Sequence, residues 1–128
     1  MKNALAVVLI ALGLAFFAGC SSVKYESETS PPNQPAYSLG YLKVNLEKPV
    51  PDIAKATEAA YKDLGISVTN AKSDDLTGKV EGKLADGKDV TTDITSVSSK
   101  ESSVSIRIGT LGDKDFSYRI LDKIKKNL

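Results

Sequence analysis

Apolar residues recur at every second position in four segments of this chain, and that alternation constrains the fold more than any other feature. Leu42, Val44 and Leu46 alternate with Lys43 and Asn45. Val90, Thr92 and Ile94 do so in a second segment, and Val104, Ile106 and Ile108 in a third. In the fourth, Leu76, Val80 and Leu84 share a face with Gly78 and Gly82, while Thr77, Lys79, Glu81 and Lys83 take the other. Successive side chains of a strand point to opposite faces, so each segment has one face for a core and one for water. Strands of a buried parallel sheet would be apolar on both faces. One-sided strands predict an antiparallel sheet covered on one side only.

The remaining elements follow from punctuation and period. The first strand covers Gly40–Leu46. A helix follows over Asp52–Leu64, with Ile53, Thr57, Ala60, Tyr61 and Leu64 at helical spacing, Pro51 near its start and Gly65 as its stop. Ile66 opens the second strand, and Ser73-Asp74-Asp75 turns the chain into the third, Leu76–Leu84. Asp86-Gly87 is a strong hairpin signal. The fourth strand covers Lys88 to Val97, where a broken alternation predicts a bulge, and the fifth carries Val104 to Ile108. A last helix spans Asp113–Leu128, with Phe116, Ile120, Leu121, Ile124 and Leu128 on one stripe. Asp113 and Asp115 begin it and Lys123, Lys125 and Lys126 end it, as the helix dipole favours. The expected fold is α+β: β-α-β-β-β-β-α, a five-stranded antiparallel sheet with two helices packed on one face. Placing the first strand beside the fifth keeps every pairing antiparallel, which favours the spatial order second, third, fourth, fifth, first.

The N-terminus has a different character. After Lys2, positions Ala4 to Ala18 are all apolar or Gly. Fifteen residues fall short of the ~20 that span a bilayer and suit the h-region of a secretory signal. Ala18-Gly19-Cys20-Ser21 follows, with the chain's one Cys. This resembles the lipobox of bacterial lipoproteins, with Phe17 where that family usually has Leu. The resemblance implies cleavage before Cys20 and lipidation of Cys20. In the Gram-negative members, Asp after the Cys retains the protein in the inner membrane. Ser21 stands there instead, which implies the outer membrane and a domain facing the periplasm. Residues 20–37 carry three prolines, many hydroxyls and almost no aliphatics, and cannot bury a core. The expected organisation is a signal peptide at 1–19, the lipid-bearing Cys20 and a disordered tether at 20–37, and one α+β domain at 38–128.

Composition narrows the chemistry. Seventeen Lys+Arg against sixteen Asp+Glu leave a net charge of +1, too weak a field for a nucleic-acid binder. No His is present, which removes His-based acid–base chemistry and the usual zinc sites. No Gly-x-Ser-x-Gly elbow occurs, and no Ser-x-x-Lys stands in a credible context. Asp74-Asp75 would hold a divalent cation weakly, but turn chemistry accounts for the pair. Gly109-Thr110-Leu111-Gly112 before a helix invites an anion, which Asp113 and Asp115 oppose. Lys123, Lys125 and Lys126 suit anionic headgroups, or simply the helix end. No catalytic, cofactor-binding or metal-binding residue is assigned, and the chain is not expected to be an enzyme. Leu39 and Tyr41 are the large apolar residues expected to point outward from the first strand. If that strand is an edge, they could anchor a partner by strand addition.

Gly40-Tyr41-Leu42, the Leu64-Gly65-Ile66-Ser67-Val68 join, the Ala85-Asp86-Gly87-Lys88 hairpin and Val104 to Gly109 followed by Leu111-Gly112-Asp113 together resemble a group of small bacterial lipoproteins. That group is known as domain of unknown function three-five-six-eight. The resemblance implies an envelope lipoprotein and brings no activity or ligand with it. The expectation is a lipid-anchored, non-catalytic binding or structural module acting through contact with an envelope protein. The alternative is a carrier holding a small apolar ligand between sheet and helices, lined by Leu42, Val80, Ile94, Ile106, Phe116 and Ile120, with Gly78 and Gly82 leaving the space.

Overall fold

A computed structural model describes residues 33–128. The expected signal peptide, Cys20 and the tether up to residue 32 lie outside the described residues. The elements are β1 (Ala36–Ser38), β2 (Tyr41–Leu46), α1 (Val50–Asp63), β3 (Ser67–Ser73), β4 (Thr77–Lys83), β5 (Asp89–Ser98), β6 (Glu101–Ile108) and α2 (Lys114–Lys126). They form an α+β fold around one six-stranded sheet of order β1-β2-β6-β5-β4-β3, antiparallel throughout. The last five positions of that order match the expected arrangement.

The sheet has six strands, not five. Two residues of the added strand β1, Ala36 and Tyr37, lie in the stretch assigned to the tether, so the folded domain begins before Ser38. Its signal was hidden by its turn. Ser38 pairs with Tyr41, leaving Leu39-Gly40 as a two-residue hairpin. Both turn residues have positive φ, +52° and +84°. That is the type I′ pattern, which ordinarily announces itself as Asn-Gly or Asp-Gly. Tyr37, opposite Leu42 in the register, packs against the core.

Strand alternation generates the core. Leu42, Val44, Val80, Val90, Ile94, Val104, Ile106 and Ile108 are buried, and they join Val50, Ile53, Ala60 and Tyr61 of α1 and Ile120, Leu121 and Ile124 of α2 in one cluster. Helix α1 contacts β3, β4 and β5, whereas α2 contacts β2, β6 and α1. The α2 stripe is shifted from the expected one. Its buried positions are Ser117, Ile120, Leu121 and Ile124, at i, i+3, i+4 and i+7. Phe116 sits at the margin, partly buried, with the Arg119 guanidinium 5.3 Å from its ring centre. Leu128 lies beyond the helix and is exposed. The bulge expected at Val97 is present, between Ser96 and Ser98.

Leu76 is also not where alternation put it. It is 70% exposed. The Asp74 carboxylate explains the displacement: its Oδ1 accepts the N–H groups of both Leu76 and Thr77, each at 2.8 Å. Leu76 is thereby held in the turn, and the strand begins one residue later.

Buried polar groups are paired within the fold. The Tyr61 hydroxyl shares a 2.8 Å hydrogen bond with Thr92 Oγ1 and lies 3.3 Å from the Val80 carbonyl. Ser102 Oγ donates to the Lys48 carbonyl at 2.8 Å, fastening the β2–α1 loop to β6. Ser117 Oγ donates to the Asp113 carbonyl at 2.6 Å. Among the described residues, no buried side-chain nitrogen or oxygen lacks a partner.

Candidate functional site

The loops between β1 and β2 and between β6 and α2 meet at one pole of the domain. Their contact is backbone on backbone and depends on two glycines. A Cβ on Gly112 would fall 2.5 Å from Gly40 Cα and 2.5 Å from the Tyr37 hydroxyl; one on Gly40 would fall 3.0 Å from the Leu111 carbonyl oxygen. The same glycines have φ of +79° and +84°, in the region L side chains rarely adopt. The loops can interlock this closely only because both positions lack a side chain.

Arg107 clamps the same pole. It is the penultimate residue of β6, opposite Tyr41 on β2 and Thr91 on β5. Its Nε donates to the Gly109 carbonyl at 3.2 Å, and its Nη2 donates to the Thr110 carbonyl. Its Nη1 donates to the Tyr41 hydroxyl at 2.5 Å, and its Cζ lies 4.6 Å from the Tyr41 ring centre. Lys43 Nζ approaches the same ring at 5.9 Å. A cation over an aromatic ring contributes about 0.5–1 kcal/mol at an accessible site. Arg107 therefore works as a structural brace for the β6–α2 loop.

Each sequence-predicted site residue can now be placed. Tyr41 does face outward, but it is half-buried beneath Arg107. Leu39 is not on a strand; it occupies the type I′ turn and is 92% exposed. The strand that carries Tyr41 is not an edge, because β1 pairs on one side of β2 and β6 on the other. Strand addition to β2 is therefore ruled out by β1, and the sheet ends instead at β1 and β3. Asp74 serves its turn; hydrogen bonds from the Thr77 and Leu76 backbone hold its carboxyl below its ordinary value. Asp113 caps α2, accepting from the Phe116 N–H at 3.0 Å. Among the described residues, no group of three metal-ligating side chains converges.

Two glycines were the basis for expecting a ligand space under the sheet. They face inward as expected, and neighbouring side chains fill the room they leave. A Cβ on Gly78 would meet Val50 Cγ1 at 3.1 Å. One on Gly82 would meet Ile66 Cγ2 at 2.7 Å, the Ser67 carbonyl oxygen at 2.8 Å and the Tyr61 ring at 3.1 Å. The glycines admit the α1 side of the core to the sheet. Burial pushes the Tyr61 phenol far above its ordinary value, which keeps it neutral in this interior. An open groove of about 610 Å³ lies at the opposite pole, bordered by Lys72, Asp74, Thr77, Gly78, Ile94 and Thr95.

Sequence reasoning missed Leu111, which is 91% exposed on the loop whose backbone meets Gly40 of the β1–β2 turn. Leu-Gly recurs along the chain, at 12–13, 39–40, 64–65 and 111–112, so the dipeptide alone does not single out the pairs at 39–40 and 111–112. Each pair places a leucine before a glycine of positive φ, and only the fold shows that the two pairs touch. Leu39 departs furthest from expectation. A non-glycine residue in the left-handed region costs about 1–2 kcal/mol, and Leu lacks the side-chain hydrogen bond that makes Asn tolerable there.

No curated protein matches the chain. A family model does, over residues 3–127, almost the full length. The chain belongs to the family described as protein of unknown function, DUF3568.

Proposed function

We propose that this chain is a bacterial envelope lipoprotein, held by acyl chains on Cys20 and facing the periplasm from the outer membrane, whose domain acts by contact with another envelope protein and not by catalysis. The observation that carries this reading is the apolar run Ala4–Ala18 ending at Ala18-Gly19-Cys20, joined to a small folded domain. Acyl chains contribute about 0.8 kcal/mol per buried CH₂, so a multiply acylated Cys20 holds the domain stably without a spanning helix. The groups whose pKa is displaced, Tyr61 and Asp74, have structural partners that account for the displacement. That favours a binding role over a chemical one.

The contact surface of this reading is the outward sheet face. Burial alternates along β4, along β6 and along β5 up to its bulge, and both helices contribute to the one core, which supports two helices on a single face and an open one opposite. One register row crosses that open face through Ser38, Tyr41, Arg107, Thr91, Glu81 and Asn70. The ion pairs on the face, Lys79–Glu81 at 3.6 Å and Lys83–Asp89 at 3.3 Å, are solvent-exposed. Such pairs contribute little to stability, so a partner can exchange them at small cost.

Two measurements test the proposal. Intact mass of the purified protein should show acylation at Cys20, and Cys20→Ala should release the domain from the membrane fraction. Unacylated protein would refute the anchor. Cross-linking in intact cells through the open face should then recover one protein at near-stoichiometric yield. Recovery of none above background would refute the contact role.

A further inference from the structure

We propose that the pole formed by Leu39 and Leu111 inserts into the surface of the membrane to which the chain is tethered, its partner being the headgroup–acyl boundary of a lipid bilayer. The inference rests on the lipid-anchor reading above. It starts from two leucines that the fold does not use: side chains 92% and 91% exposed, on loops whose backbones touch. Exposed single leucines are ordinary. These two are different because their loops interlock through Gly40 and Gly112, are braced by Arg107 and, at Leu39, hold a strained turn in which Asn is the preferred residue. Strain and exposure at one residue, with no packing in return, mark a position kept for something outside the fold.

The surroundings say what that something is. Nearby charges are mixed in sign, Lys114 and Asp115 of the first turn of α2 among them. Lys88 pairs with Asp86 at 3.6 Å and Lys83 with Asp89 at 3.3 Å. Arg107 holds loop carbonyls, and Asp113 caps α2. Two apolar side chains are left to drive the contact, with little net charge to steer it. Two leucines also fall far short of the ~1,000 Å² that a specific protein interface clears. A bilayer needs no such area when the domain is already tethered to it, because a tether makes the second contact intramolecular, at an effective concentration on the order of millimolar. The braced loops also lose little freedom on insertion.

The tether is long enough. The chain enters the described domain at the opposite pole, where Asn33 Nδ2 donates to Glu47 Oε1 at 3.2 Å. Twelve residues lie between Cys20 and Asn33, and the thirteen Cα–Cα steps can reach up to ~45 Å. The six residues of β2 span only ~20 Å. The leucine pole can therefore meet the membrane that carries Cys20. With the pole down, the strands stand upright and the open sheet face is presented sideways, free for a protein.

The chain has no Trp, which makes the test direct. Full-length protein carrying Leu111→Trp, Leu39→Trp or Leu76→Trp is purified in detergent. Each is reconstituted into phosphatidylethanolamine–phosphatidylglycerol vesicles with brominated acyl chains, and into phosphatidylcholine vesicles likewise brominated. Leu76 is the control, exposed at the opposite pole. The expected result is several-fold stronger bromine quenching at positions 111 and 39 than at 76, the same in both vesicles and insensitive to salt. Leu39→Ser in the Leu111→Trp protein should reduce the quenching. Equal quenching at both poles, or stronger quenching at 76, would overturn the proposal while leaving the anchor standing. So would unquenched tryptophans at a pole that cross-links to a protein in cells. An intact mass without acyl chains on Cys20 would overturn both readings together.

Discussion

Replacing Gly82 by Ala adds one methyl group to the inner face of β4, and its sign is decided by two opposing terms. Removing glycine's freedom from the unfolded chain stabilises by about 0.4–1 kcal/mol where the native backbone accepts a side chain. Gly82 lies in extended strand, so that gain applies. Against it stands the space. The new Cβ would lie 2.7 Å from Ile66 Cγ2, 2.8 Å from the Ser67 carbonyl oxygen and 3.1 Å from Tyr61 Cδ2. The Ser67 oxygen is backbone in β3 and cannot rotate away, so β3 and β4 must separate or Tyr61 must leave its bond to Thr92. Overpacking of this kind costs about 1–3 kcal/mol. The loss wins, by ~1 kcal/mol or more, equivalent to a melting temperature lower by about 4–8 °C for each kcal/mol in a domain of this size. Gly78 supplies the internal comparison. It shares the strand and the face, but its Cβ would meet only side chains, the nearest Val50 Cγ1 at 3.1 Å. Gly78→Ala should therefore cost less than Gly82→Ala. Thermal unfolding followed by circular dichroism reads both. A Gly82→Ala protein that melts at or above the unaltered one, or a Gly78→Ala protein that melts lower than Gly82→Ala, would refute the account of the strand β4 glycines as seats for the core.

Two further outcomes follow from polar groups. Tyr61→Phe should destabilise by about 1–3 kcal/mol, because it strips Thr92 Oγ1 of its buried partner; Tyr61→Phe with Thr92→Val should recover part of that loss, measured as a non-additive double-mutant cycle in urea unfolding. Asp74 should make stability fall in acid: its carboxyl is held below its ordinary 3.8 by the Thr77 and Leu76 amides, so its contribution is present above that value and disappears as pH falls through the lower, folded-state one. Asp74→Ala should flatten that part of the acid limb of a melting-temperature profile, and an unchanged profile would show that the turn bonds do not persist in solution.

The sequence made some of this fold legible and hid the rest for identifiable reasons. Period-two alternation from Val90 to Ile108 fixes which face is buried, because a one-residue slip would bring polar side chains into the core. The bulge at Val97 was legible for the same reason. Strand β1 was not, because three residues carry too little pattern and Leu-Gly does not advertise a type I′ turn. Leu76 was misplaced because alternation knows nothing of a carboxylate that accepts two amides and holds the turn open. The partners of Ser102 and Ser117 were not legible either; each is buried with a carbonyl, of Lys48 or Asp113, within reach of its hydroxyl. At the candidate site, exposure of Leu39 was legible, whereas the pairing of Leu39 with Leu111 depends on two glycines 72 residues apart coming together. No local pattern contains that information.

Strand β1 also changes how an anchor would act on the domain. Had the fold begun at Ser38, the attachment would have been a loose joint at the end of β2. Instead the chain is fastened from Pro35 onward: the Tyr118 hydroxyl donates to the Pro35 carbonyl at 3.5 Å, Ala36 to Ser38 pair with β2, and Tyr37 reaches the core. Whatever freedom the tether carries ends at Pro35. The direction in which the chain leaves is therefore fixed relative to the sheet, and it points to the pole opposite Leu39. A tether leaving from one pole restrains distance from the membrane but does not choose which pole faces it. That choice would need a second contact on the domain itself, and Leu39 and Leu111, apolar, exposed and on loops that touch, have the chemistry to supply it.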